Sequence, residues 1–190
     1  MDQAEEKRRL RRELKQAAAD LGEEYCERAD REIYSRILSM AEYEKAHTVF
    51  CFAGTEREID TVPVLLDALK RGKRLGLPKC ISKGIMEVYE IRSLQDLKPG
   101  SYGILEPDSG CAFINPDDID LSLIPCLSAG PDGKRLGYGG GYYDRYLGQV
   151  SGTKAVLCRG RMMRQNLPTE EHDVPVDMVV SETGIFVCHP

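Results

Sequence analysis

The chain of 190 residues is 42% hydrophobic and 30% charged, enough apolar matter for one buried core and unlike the low-hydrophobicity, high-charge balance of a disordered chain. No apolar run approaches the roughly 20 residues that a membrane-spanning helix needs, and the charged N-terminus lacks a signal-peptide core, so a cytoplasmic protein of one domain, 1–190, is expected. A net charge of −5 argues against a general nucleic-acid binder, which needs a basic face to displace counterions from phosphates.

Residues 3–20 lack Gly and Pro and are rich in Ala, Glu, Arg, Lys and Leu, the composition of a helix. Within them residues 7–15 (KRRLRRELK) hold six of the 26 Lys and Arg. Lys7 and Arg11, four apart, share a helix face and can converge on one anion, although a solvated basic face explains the run by itself. A second helix is expected over about 22–45, with Ile33, Ile37, Leu38 and Met40 near helical spacing. HTVFCFA (47–53) reads as a buried strand, β-branched and aromatic. Thr55 with Glu58 three residues on forms a capping-box pattern, which predicts a helix from there through Val62, Leu65, Leu66 and Leu69 to Gly72.

KRLGLPK (73–79) and the alternating GIMEVYEI (84–91) are expected as strands, and 96–116, rich in Gly, Pro, Asp and Ser, as a long loop. DIDLSLIPCL (118–127) reads as the next strand, followed by RLGYGGGYYDRYL (135–147), a glycine cluster running into a short helix. TKAVLC (153–158), VDMVVSE (176–182) and GIFVCH (184–189) complete the strands. Continuous apolar strands alternating with helices indicate a layered α/β fold with a mostly parallel sheet. In such sheets ligands bind beyond the carboxyl ends of the strands, which directs attention to the glycine cluster.

Gly137, Gly139, Gly140 and Gly141 permit positive φ and close backbone approach, and successive N–H groups at a helix start can surround an anion. No G-K-[S/T] follows, so this is not a P-loop. Lys134 and Arg135 lead into the cluster with cationic donors suited to phosphate. Asp144 leaves it, and either holds Mg²⁺ through oxygen coordination or stabilises the helix start through the dipole. Asp177, before an apolar strand, is a second carboxylate for the metal or an ordinary surface Asp. The seven cysteines are scattered without a Cys-x-x-Cys pair, which disfavours a disulfide framework or a zinc site. His172 has no partner in its segment that would make it a metal ligand.

Six segments in order resemble the 5-formyltetrahydrofolate cyclo-ligase (5,10-methenyltetrahydrofolate synthetase) family: KRRLRREL, EREIDT, GKRLGLPK, GILEP, IPCLSAGPDGKRLGYGGGYYDRYL and LPTEEHDVPVDMVVSETGI. The resemblance implies a CoA-transferase-like α/β fold and a monomer. It also implies ATP- and Mg²⁺-dependent cyclisation of 5-formyltetrahydrofolate to 5,10-methenyltetrahydrofolate, with ADP and phosphate released. It assigns ATP to Lys7, Arg11, Arg135, Leu136, Gly137, Tyr138, Gly139, Gly140, Gly141, Tyr142 and Tyr143, and Mg²⁺ to Asp144 and Asp177. It puts the folate against Glu58, Tyr138, Gly139, Gly140, Gly141 and Tyr142. One departure is visible: where the family usually has Phe-Asp before Gly-x-Arg-Leu-Gly, this chain has Ala129 and Gly130, with Asp132 two positions on as a substitute carboxylate. A non-catalytic folate- or nucleotide-binding regulator on the same fold is the second reading, and a sugar-phosphate or CoA-transfer enzyme the third.

Overall fold

A computed structural model describes residues 3–188. Its frame is an eight-stranded sheet in which β1 (Thr48–Phe50), β2 (Arg74–Ser82), β7 (Leu121–Ile124), β10 (Thr153–Leu157) and β11 (Met178–Ser181) run parallel. The order across the sheet is β12-β11-β10-β7-β1-β2-β3-β6, with β3 (Ile85–Ile91), β6 (Ala112–Phe113) and β12 (Gly184–Val187) pairing antiparallel at the two sides. His189, the last residue of the expected closing strand, lies outside the described residues.

The alternation of side chains along each strand divides the core between the two faces of the sheet. Val49 and Cys51 point into a cluster with Ile33 and Ile37 of α2 (Glu23–Ser39) and Leu65 and Ala68 of α4 (Val62–Lys70). Phe50 points the other way, into a cluster with Leu14 of α1 (Gln3–Ala19) and with Tyr146 and Leu147 of α5 (Tyr142–Leu147). The basic first helix therefore lies on the same face as the helix that follows the glycine cluster.

Three expectations are revised. The helix over 22–45 is two helices, α2 and α3 (Ala41–Lys45), because Met40 takes an extended backbone (φ −73°, ψ 131°). The break lets Tyr43 sink fully into the core while its hydroxyl donates to Asp67. The Thr55–Glu58 pattern does form: the Glu58 carboxylate accepts from Thr55 N–H and from its Oγ1. It closes a turn in an irregular loop, however, and α4 begins only at Val62, with Pro63 in its first turn, where a missing N–H costs nothing. The long loop 96–116 contains a small pair of strands, β4 (Leu97–Pro99) and β5 (Leu105–Pro107), and ends in β6. Between β7 and the glycine cluster lies a tight hairpin of β8 (Ser128–Ala129) and β9 (Arg135–Leu136). No helix among the described residues is long and apolar enough to cross a membrane.

Candidate functional site

The parallel strands deliver their carboxyl ends to one edge of the sheet, and a cleft opens there. Phe52 follows β1, Cys126 follows β7, and Cys158 and Arg159 follow β10; Glu58 and Tyr138 complete its mouth. Desolvation at the cleft, then the nearby Glu58 charge and Cys126 thiol, push the Tyr138 phenol above its ordinary value, although the residue as a whole keeps 45% of its surface exposed. Glu58 and Tyr138, 80 positions apart in the chain, thus form one wall that pairs a carboxylate with a neutral phenol.

The glycine cluster borders the same cleft through Tyr138. Gly139 (φ 99°) and Gly141 (φ 69°) occupy the left-handed region, which side chains with a Cβ rarely adopt. These bends turn the backbone so that none of the N–H groups from Tyr138 to Asp144 donates to a protein acceptor among the described residues. Such a run of free donors is an anion-binding surface. Arg11 reaches it from α1: Nε donates to Gly137 O at 3.0 Å, its guanidinium lies against Gly139, and no carboxylate pairs with it among the described residues. Arg145 fastens the other side, donating through Nη1 to Gly84 O (3.1 Å) and Gly140 O (3.4 Å).

Beneath the loop, Arg135 is buried and donates to Asp144 Oδ1 at 2.5 Å, with Val174 N–H on the same oxygen at 3.3 Å. Oδ2 of Asp144 has no protein partner among the described residues, and Arg135 Nε is buried without an acceptor. Leu136 is a core side chain that can offer a ligand only backbone, and the half-buried Tyr143 stacks on Phe50 with ring centroids 6.1 Å apart. Tyr142 meets Tyr102, hydroxyl to hydroxyl, at 3.4 Å.

Two expected site residues lie elsewhere or are otherwise engaged. Asp177 stands immediately before β11, at the amino edge of the sheet, where its carboxylate accepts from Lys154 N–H at 2.7 Å. The cleft is at the opposite edge, so a metal shared by Asp144 and Asp177 does not fit this placement. The carboxylate whose segment touches Asp144 is Asp173, next to Val174. Lys7 is 2% exposed, and its ammonium donates to Glu170 (2.7 Å) and Asp173 (2.5 Å), tying α1 to that turn. His172, expected to have no partner in its segment, stands near the same two carboxylates, at 3.8 and 3.9 Å, both of which already pair with Lys7.

The Ala129–Gly130 departure has a local explanation. Ala129 is fully buried opposite Arg135 in the β8–β9 hairpin. The carboxylate of Asp132 folds over Gly130 into the space a side chain there would take, and it pairs with Lys134 at 3.0 Å. A carboxylate therefore does stand at that corner.

Arg159 lines the cleft and, like its partner Asp30, carries no motif. Arg159 Nε and Nη2 donate to the two oxygens of Asp30 at 2.7 and 2.9 Å. The position of Arg159 directly after a parallel strand is the one signal that points to it.

A mostly parallel α/β sheet with a glycine-lined loop of free N–H groups at its carboxyl edge, opening on a cleft with a carboxylate and a phenol, is the arrangement of a ligand-binding α/β protein. Residues 3–182 match the model of the 5-formyltetrahydrofolate cyclo-ligase family, and the chain belongs to that family. It is 28% identical over 189 residues to 5-formyltetrahydrofolate cyclo-ligase of Mus musculus, covering 93% of each. With the Escherichia coli (strain K12) protein of the same name it shares 29% identity over 158 residues, covering 80% of this chain and 87% of that one. The solution structure of Aquifex aeolicus 5,10-methenyltetrahydrofolate synthetase superposes with a TM-score of 0.87 at 32% identity, over 97% of this chain and 93% of that one.

Proposed function

We propose that this chain uses ATP and Mg²⁺ to cyclise 5-formyltetrahydrofolate to 5,10-methenyltetrahydrofolate, releasing ADP and phosphate. The observation that supports this most is the meeting of a loop of unpartnered N–H groups with the Glu58–Tyr138 wall at one cleft. It offers an anion site and a polar, aromatic site side by side, which a transfer from a triphosphate to a heterocyclic substrate requires.

In this reading the formyl oxygen attacks the γ-phosphoryl group and ADP departs. The activated formyl carbon is then attacked by N10, which loses its proton, and phosphate leaves as the ring closes. No side-chain nucleophile takes part; catalysis is positioning and charge neutralisation. Arg11 and the loop from Arg135 to Tyr143 would cradle the phosphates, with Leu136 contributing backbone. Lys7 acts at one remove, holding α1 so that Arg11 reaches the loop. Glu58 would accept from the pterin N–H groups, and Tyr138 and Tyr142 would flank the folate.

Asp144 would hold Mg²⁺ through its unpartnered Oδ2, a hard oxygen donor suited to that ion. When bound, the ion neutralises phosphate charge. The protein is read as a monomer acting in the cytoplasm on small molecules rather than on nucleic acid, in keeping with the net charge of −5.

The test is spectrophotometric: methenyl product accumulates with ATP, Mg²⁺ and 5-formyltetrahydrofolate together and with none of them omitted. Absence of product from the complete mixture refutes the reading. Binding of both ligands without product would instead favour a regulator.

A further inference from the structure

Glu58 lies in an irregular loop, 53–61, that enters no strand and precedes α4. Locally it is held by the Thr55–Glu58 bonds and by Thr61, whose Oγ1 donates to Phe52 O and accepts from Gly54 N–H at 3.1 Å. Glu58 N–H also donates to Thr55 O at 2.9 Å and Ile59 is buried in the core, but these contacts leave Arg57 O, Glu58 O and Asp60 N–H to be satisfied from outside the loop, where the backbone that carries Glu58 passes the cleft mouth. Were those backbone groups left to solvent, the stretch would lose conformational entropy whenever a ligand needed it in one place.

The stretch is instead gripped from elsewhere in the chain. Arg159 Nη2 donates to Glu58 O at 2.8 Å, and Nη1 to Arg57 O at 3.4 Å. Asp30, on α2, accepts from Asp60 N–H at 2.9 Å with the same Oδ2 that takes Arg159 Nη2. Arg159 and Asp30 hold each other in a buried fork, with side chains 8% and 12% exposed, and together they satisfy donors and acceptors on both sides of Glu58. A planar guanidinium can bind a carboxylate bidentately and still present N–H groups to carbonyls in its plane; a lysine cannot.

We propose that the Arg159–Asp30 pair is a positioning device for the folate-facing wall: it fixes the backbone of residues 57–60 so that Glu58 meets the substrate without a further ordering cost. Neither residue touches the reacting atoms. The proposal rests on the cyclo-ligase reading for the identity of the ligand. Its consequence is asymmetric, because the glycine loop is held by Arg11 and Arg145 and makes no hydrogen bond to Arg159.

The experiment compares wild type with Arg159→Lys and Asp30→Asn. Isothermal titration calorimetry measures 5-formyltetrahydrofolate and a non-hydrolysable ATP analogue separately, steady-state kinetics give both KM values, and thermal unfolding monitors the fold. Both variants are expected to bind the folate about tenfold more weakly and to raise its KM to match, with ATP-analogue affinity and the KM for ATP within about twofold of wild type. Both are milder than truncation: Lys retains the charge and Asn retains one acceptor. A thermal shift with unchanged folate affinity, or equal weakening of both ligands, overturns the proposal and makes the pair merely structural. Wild type that binds no folate overturns the functional reading itself, a result distinct from either.

Discussion

The glycine loop and the Glu58 loop border the same cleft and are held in opposite ways. The glycine loop is shaped by its own residues: Gly139 and Gly141 turn the backbone, and the helix that follows begins at once. The Glu58 loop has its shape imposed by Asp30 and Arg159, the latter 101 positions from Glu58. A ligand site for an anion with one fixed geometry can be written into a short local string, since glycine conformations and free N–H groups suffice. A wall that must match one heterocycle is set here by remote packing, and changes in α2 or after β10 can retune it without touching the loop.

The largest effect should come from the local device. Gly139→Val forces a β-branched side chain into φ 99° and against the Arg11 guanidinium; kcat/KM for ATP is expected to fall about a hundredfold or more. Calorimetry should find folate binding far less altered. Comparable loss of both would dissolve the distinction between the two regions.

Arg11→Ala comes next. It removes an unpaired cation at the loop but leaves the fold, because Leu14 and Lys7 anchor α1. The KM for ATP should rise about tenfold, the scale of one charge-assisted bond, with the KM for folate unchanged. An unaltered KM for ATP would remove α1 from the nucleotide site.

The smallest effect is on stability and is read against pH. Burial alone would raise the Asp173 carboxyl, but hydrogen bonds from Lys7 and from Glu170 N–H, with the Lys7 charge, outweigh it and hold it below its ordinary range. A depressed folded value contributes stability that is present above the unfolded value, about 3.9, and is lost as pH falls through the folded one. The unfolding temperature should therefore drop more steeply below about pH 4 in wild type than in Asp173→Asn. Parallel curves would mean that Lys7 does not hold this turn.

What the sequence makes legible follows the same division. Strands such as TKAVLC and VDMVVSE announce themselves by composition, and the glycine cluster by its spacing. The Thr55–Glu58 pattern specifies a bonded pair but not a helix start, because the box satisfies a turn as well as a helix and Pro63 places the true beginning later. Asp177 looked equivalent to Asp144, both being carboxylates beside a regular element; only sheet register puts it at the amino edge. Lys7 and Arg11 share a face as their spacing requires, yet one is buried between carboxylates and the other reaches the loop, a difference set by the distant 170–173 turn. Arg159 follows a parallel strand, but its pairing with Asp30 depends on the folded approach of α2 to the end of β10.

The central claim is that the cleft holds the formyl group against a nucleotide in the glycine loop so that its oxygen attacks the γ-phosphorus. Turnover of 5-formyltetrahydrofolate labelled with ¹⁸O in the formyl group tests this directly, by mass analysis of the phosphate released. The account predicts that each product phosphate carries the label. Unlabelled phosphate alongside methenyl product would mean that ATP is hydrolysed by water and that the two halves of the site do not act on one another.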